Sequence, residues 1–302
     1  MKSILTKSII LAVVAAAATA SAEPGEQATP PKPAKSEKTA QAVQRAAEKP
    51  AKPRSADDAL PNRPTAIDPR ATHRLEQMGE YLRGQRSFTI HMTTETDYVM
   101  DDGQKVRLGA KGEMKVRRPN GLRAELTSER KERQYFFDGK TFTIFSPKTG
   151  FYATVDAPGT IAELADTLET QYKLQLPLVD LFRWGTAGVD ESQFSSAKYV
   201  GATRIGNVDV DQYAFRQPGL DWQIWIQRGA QPLPRKLVLT TTDDPARPEH
   251  EIVMDWNLSA LHGDTEFAFH PPKDSTKIPI ADAQTIRARQ NLERRATRSV
   301  RR

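Results

Sequence analysis

The strongest constraint on this chain is a period-two alternation of apolar and polar residues that recurs from Ser87 to Trp256. In WQIWIQRGAQPLPRKLVLTTT, residues 222–242, the side chains of Trp222, Ile224 and Ile226 go to one side and those of Gln223, Trp225 and Gln227 to the other. A Pro-containing turn follows, and the alternation resumes. Successive side chains leave a strand on opposite faces, so this pattern marks a strand with one face buried and one in water. The chain therefore builds a large apolar sheet face. That face must be covered either by the protein's own helices or by an apolar guest.

The alternation extends to a long first hairpin. SFTIHMTTETDYVM puts Phe88, Ile90, Met92, Tyr98 and Met100 on one face, with Thr94 and Thr96 between them. After the Asp102-Gly103 turn, Val106, Leu108, Ala110, Met114 and Val116 share a face on the return arm. Both arms exceed the usual strand length, which predicts a curved hairpin. The runs LRAELTS, RQYFFD, TFTIFS and FYATVD follow, and after a helical interruption come AKYVGATRI, VDVDQYAFR, the hairpin of 222–242, HEIVMDW and a closing FAFHPP.

Two segments carry helical signals. In IDPRATHRLEQMGEYLRG, Asp68 is an N-cap, Pro69 takes the first helical position, Ala71, Leu75, Met78 and Leu82 share a face, and Gly84 can end the helix. In TIAELADTLETQYKLQLPLVDLFRWG, Thr160 and Glu163 form a capping box, Ile161, Leu164, Leu168 and Tyr172 repeat at helical spacing, and Pro177 starts a second helical segment able to end at Gly185. One helix, about six strands, a helical pair and about five strands make an α+β fold with a single sheet system.

The ends of the chain read differently. Residues 1–22 have Lys2 and Lys7, an apolar run from Ser8 to Ala18, and Ala20-Ser21-Ala22: a secretory signal cleaved near Ala22. Residues 23–67, rich in Ala, Pro and Lys, are expected to be a disordered linker, and 281–302 an Arg-rich mobile tail. The globular domain is then 68–280. The absence of cysteine excludes disulfides, thiolate metal sites and an acylated cysteine. Signal, residues 23–70 and tail carry +2, +2 and +5 of a total charge of +6, leaving −3 for 71–280, so the domain offers no nucleic-acid surface.

Catalytic motifs are missing: no serine elbow, phosphate loop, dinucleotide glycine pattern or zinc-protease helix occurs, and the five histidines show no ligand spacing. His91 and Glu95 share a strand face with Thr89, Thr93 and Asp97, the composition of a solvated surface. Asp209 and Asp211 could in principle bind a cation, but two carboxylates on one strand more often face water. No catalytic residue, metal or cofactor is assigned.

The runs VRRPNGLRAEL, FFDGKTFTIFSPKTGFYAT and FAFHPPKDSTKI resemble the periplasmic outer-membrane lipoprotein carrier superfamily; MGEYLRGQRSF and LQLPLVDLF resemble an uncharacterised predicted-periplasmic branch of it. The resemblance spans roughly 67–280. It implies a curved, unclosed antiparallel half-barrel of about 11 strands with helices in its concavity, in a monomeric periplasmic protein. It further implies that lipid or lipoprotein acyl chains are held between sheet and helices. The ligand-binding positions would be Met92, Tyr98, Met100, Leu108, Met114, Leu126, Phe142, Ile144, Trp222, Ile224, Ile226, Leu239 and Trp256, with Arg118 latching the helical lid. An envelope interaction or sensor protein, whose concave face is ordinary core, is the alternative on the same architecture.

The tail of seven arginines against two acids should concentrate near anionic lipid, at about 1 kcal/mol per basic residue close to the surface. Full-length protein is expected to co-sediment with anionic but not zwitterionic liposomes, steeply less so as salt rises. Truncation after Ile280 should remove this without lowering thermal stability; equal sedimentation of both forms would exclude a docking role for the tail.

Overall fold

The computed structural model describes residues 67–280 except 158, 175, 177, 179–181 and 183–189. The expected signal, linker up to residue 66, tail, and most of the helical segment after Pro177 lie outside the described residues. Ile67, at the end of the expected linker, already bridges Ala197.

Helix α1, Pro69–Gly84, starts where the sequence placed it: Asp68 accepts a hydrogen bond from Arg70 N, and Pro69 takes the first turn. Helix α2, Ile161–Thr167, opens on the Thr160–Glu163 capping box, with Thr160 N to Glu163 Oε2 at 2.7 Å. It continues as a π-helical turn, Leu168–Tyr172, which ends at Lys173 in the left-handed region.

The strands are β1 (Ser87–Val99), β2 (Lys105–Arg117), β3 (Gly121–Ser128), β4 (Glu132–Phe137), β5 (Thr141–Ser146), β6 (Phe151–Asp156), β7 (Ser196–Ile205), β8 (Val208–Gln217), β9 (Leu220–Gln227), β10 (Pro234–Thr241), β11 (Glu249–Asn257) and β12 (Thr276–Lys277). They form one unclosed sheet in the order β12-β6-β5-β4-β3-β2-β1-β11-β10-β9-β8-β7. Two meanders, β1–β6 and β7–β11, meet where β1 pairs antiparallel with β11. The connection from β6 to β7 joins strands near opposite edges, so it has to cross the width of the sheet. Its described apolar residues, among them Ile161, Leu164, Leu168 and Phe182, pack in one core with α1 and the inner sheet face. This is the α+β half-barrel.

Register fixes which residues face inward, since cross-strand partners share a face. One row runs Phe88, Val116, Leu122, Phe137, Phe142, Val155. Two rows further along β1, another runs Met92, Gly112, Leu126. A Cβ on Gly112 would meet Glu125 O at 2.6 Å and Leu126 Cδ2 at 2.8 Å. Glycine here lets β2 and β3 approach and the Met92 and Leu126 side chains close over the gap.

FAFHPP is not a strand, contrary to its alternating look. After β11 the chain crosses the outer face as a strap, and the twelfth strand is the two-residue β12, parallel to β6. Phe267 is buried, with Arg117 over its ring at 5.1 Å. Gly121 lies directly beneath it, where a Cβ would come within 2.7 Å of the ring. Phe269 contacts Phe136, Phe145 and Tyr152 at centroid distances of 5.1, 5.5 and 5.1 Å. The alternation is real, but each phenylalanine fills a separate hole in the outer face instead of pairing with a neighbour. The strap makes a second, smaller core.

Phe267→Ala should therefore cost about 3–5 kcal/mol, the range for emptying a buried aromatic site. Leu261→Ser, on the same segment at 90% exposure, should change stability by less than about 0.5 kcal/mol. Urea unfolding of both variants checks this; equal effects would mean the strap does not hold the fold.

Candidate functional site

The inner face changes character along β1. Phe88, Ile90 and Met92 are buried, Thr94, Thr96 and Tyr98 are half-buried, and Met100 is 53% exposed. The partner strand follows: Val116 and Met114 are buried, Ala110, Leu108 and Val106 half-buried. The helices account for this gradient. Helix α1 leads from the Ala197 bridge to the start of β1, with Arg74 Nη2 donating to Gln227 O at 2.6 Å. Helix α2 begins at the β2–β3 turn, where Ile161 N donates to Pro119 O at 2.9 Å. The C-terminal end of α1 and the start of α2 thus both lie at the Phe88 end of the sheet, and along β1 and β2 the inner face grows more exposed toward the hairpin tip.

The expected ligand-contacting residues divide along this gradient. Met92, Met114, Phe142, Trp222, Ile224, Ile226 and Leu239 are buried members of the core. Leu126, Ile144 and Trp256 are partly buried against that core, Trp256 with its Nε1 donating to Pro234 O at 2.8 Å and its ring 5.3 Å from Phe88. Tyr98 and Leu108 line the open end. Met100 follows the last residue of β1 and is solvent-exposed, because the tip projects past β3 and β11.

Arg118 sits in the β2–β3 turn, its guanidinium 5.1 Å over the Phe182 ring. Nε is buried with no hydrogen-bond partner among the described residues, and burial pushes the guanidinium below its usual range. Among the described residues the cation touches the helical segment through an aromatic face.

Sequence reasoning missed His250, half-buried on the row that leads from the open end into the core. One inner row reads Thr96, His250, Leu239, Trp222, Phe215, Ala197. Thr96 Oγ1 lies 2.7 Å from His250 Nδ1, and burial lowers the His250 pKa. The Trp222 indole stacks on Phe215 at 4.2 Å, with Phe194 5.1 Å from Phe215, and Trp222 Nε1 is buried without a partner among the described residues. The signal was available: His250, Ile252 and Met254 alternate onto one face of HEIVMDW.

Other polar groups are structural. Asp97, buried on the outer face, binds Arg107 at 2.9 Å and Lys105 at 3.3 Å, and its pKa is lowered chiefly by the Arg107 hydrogen bond. His91 pairs with Glu113 at 3.4 Å and Glu95 with Arg107 at 3.7 Å, not with each other. Asp209 binds Arg204 at 3.1 Å, while Asp211 faces Arg228 at 3.6 Å. Thr89, His262 and Glu266 line up at 3.1 and 3.2 Å in the order hydroxyl, imidazole, carboxylate. The threonine is buried and the acid also binds Lys115 at 3.2 Å, so this chain fastens the strap to β1 and β2. Among the described residues no three acidic or histidine side chains form a metal-binding group.

A family model described as "Predicted periplasmic protein (DUF2092)" matches residues 71–281. Among curated proteins none matches. Similar solved structures include an uncharacterized conserved protein from Thermus thermophilus, 12% identical over 70% of this chain and 99% of that one, with a TM-score of 0.40. The lipoprotein LppX of Mycobacterium tuberculosis is 12% identical over 63% of this chain and 96% of its own, TM-score 0.40. A LolA superfamily protein from Nitrosomonas europaea is 10% identical over 66% and 97%, TM-score 0.32.

The lowered His250 pKa makes a signed prediction. The unfolded chain takes up the proton first, near pH 6.5, so the stability due to neutral His250 is complete above that pH and is lost as pH falls toward the folded-state value. His250→Phe should flatten the pH dependence of urea unfolding below about 6.5. Identical slopes in the two proteins would show that His250 titrates normally.

Proposed function

The chain belongs to the DUF2092 family of predicted periplasmic proteins, and on that premise we propose that it binds an apolar or acylated ligand, such as lipid or lipoprotein acyl chains, at the open end of its concave face, in a carrier or chaperone role. The observation that carries this reading is the gradient of cover along β1. Apolar positions continue beyond the buried stretch of Phe88 to Met92, through Tyr98, Val106 and Leu108 to Met100. An amphipathic strand whose inner face serves only as core would stop its apolar positions where the burial stops. Here they extend beyond it, and burying a guest chain there contributes about 0.8 kcal/mol per methylene. The described domain has no cysteine to anchor it and no helix long and apolar enough to cross a membrane.

A second reading has its own support. Met92, Met114 and Ile224 are fully packed, as expected of an envelope interaction or sensor protein whose deep concave face is core. In the carrier reading, a guest reaching that depth has to displace the α2 segment. The reading therefore assigns the Phe182–Arg118 contact the part of a latch on that movement.

An environment-sensitive apolar dye should bind the folded protein near one-to-one and be displaced by fatty acid or lysophospholipid. Leu108→Asp should abolish binding while leaving the unfolding transition nearly unchanged, because this position is only half-buried. Dye binding that is absent from the wild type, or unaffected in Leu108→Asp, would favour the interaction protein.

A further inference from the structure

The inner row that leads from the open end into the core is not uniformly apolar. In the row Thr96, His250, Leu239, Trp222, three of four consecutive inward positions carry hydrogen-bonding groups. His250 and Trp222 are separated by one strand, so their Cα atoms stand about 10 Å apart, within the span of a small polar headgroup and its first chain carbons. The Thr96 contact engages His250 Nδ1, leaving Nε2 without a hydrogen bond among the described residues. Trp222 is 3% exposed and its Nε1–H has no acceptor there.

An indole N–H is a donor only. Left unpaired in an apolar wall, it forfeits the hydration it had in the unfolded chain, and core packing alone would be served better by phenylalanine at this position. By contrast the indole of Trp256 on the same face does find an acceptor, Pro234 O at 2.8 Å. The difference singles out Trp222.

Resting on the ligand-binding reading above, we infer that Thr96, His250 and the Trp222 indole N–H form a polar subsite that hydrogen-bonds an uncharged oxygen acceptor, an ester or hydroxyl group, of an otherwise apolar ligand. Charge selects against a free carboxylate. The row carries no Lys or Arg, and Arg70, which lies over Tyr199 at the far edge of the neighbouring row, is held by Asp68 at 2.8 Å. An anion would lose its hydration here without gaining a counter-ion, whereas an ester carbonyl loses far less and gains the waiting donor. Burial keeps His250 neutral at neutral pH, which is consistent with this choice. The arrangement, a mostly apolar wall with a few convergent polar groups, is that of small-molecule sites generally.

The test uses the mature chain, with an environment-sensitive dye displaced by monolauroylglycerol, laurate or dodecane. Monolauroylglycerol is expected to bind more tightly than laurate. Trp222→Phe and Thr96→Val should each weaken monolauroylglycerol about tenfold, the effect of one buried hydrogen bond, and leave dodecane unchanged. The indole ¹⁵N–H resonance that disappears in Trp222→Phe should shift when monolauroylglycerol is added and stay in place with dodecane. Laurate preferred over the ester, wild-type affinity in both variants, or an unmoved indole resonance in the ester-bound protein would each overturn the subsite. If dodecane displaces the dye while these signs are absent, only the subsite fails. If no probe displaces it, the ligand-binding reading fails as well. Should Trp222→Phe not fold, Thr96→Val still gives the affinity comparison, and the Trp184→Phe, Trp225→Phe and Trp256→Phe variants identify the indole resonance by elimination.

Discussion

Eight register pairs between β1 and β11, from Thr89–Asn257 to Thr96–His250, hold this protein together as one sheet. Each meander on its own is built from local antiparallel hairpins and would present an apolar face too wide for one short helix to cover. Joined through β1 and β11, the two faces become continuous. The cost of closing so long a loop is entropic and grows only slowly with length. It is offset by burying β1 and β11 on both edges, which leaves the free edges of the sheet to β7 and to the two-residue β12.

The position of the helices follows from the same pairing. Because β6 and β7 end up near opposite edges, the connection between them has to cross the sheet, and its apolar residues turn it across the inner face. The residues it covers best are those near its anchors: the β2–β3 turn, where Ile161 N meets Pro119 O, and the start of β1. Toward the hairpin tip the inner positions are half-buried. A graded wall results, dry at one end and half-open at the other, with Thr94, Thr96 and His250 where the cover thins. The outer face solves a different problem. There the strap of Phe267 and Phe269 seals a small aromatic cluster, fastened by the Thr89–His262–Glu266 chain.

Much of this was legible in the sequence. Asp68, Pro69, Thr160 and Glu163 specify helix starts through hydrogen bonds made within a few residues, so no tertiary information was needed to place them. Alternation identified eleven strands and, through its period, the inward set from Phe88 to Met92 and from Trp222 to Ile226. FAFHPP misled because alternation reports which way side chains point and says nothing about whether a neighbouring backbone is present to pair with. Met100 shows a related limit: the pattern assigns a face, and only the surroundings decide whether that face is covered. His250 was overlooked because a histidine search by ligand spacing ignores its place in an apolar alternation.

By itself the sequence determined the local elements, their faces and their order, because capping, turn chemistry and side-chain alternation act over a few residues. Tertiary structure alone decided that β1 should pair with β11, that a strap should replace a strand, and that the inner face should be closed at Phe88 and open at Tyr98. Those outcomes depend on which distant surfaces meet, and on the free energy of covering one apolar face with another, which no short stretch of sequence carries.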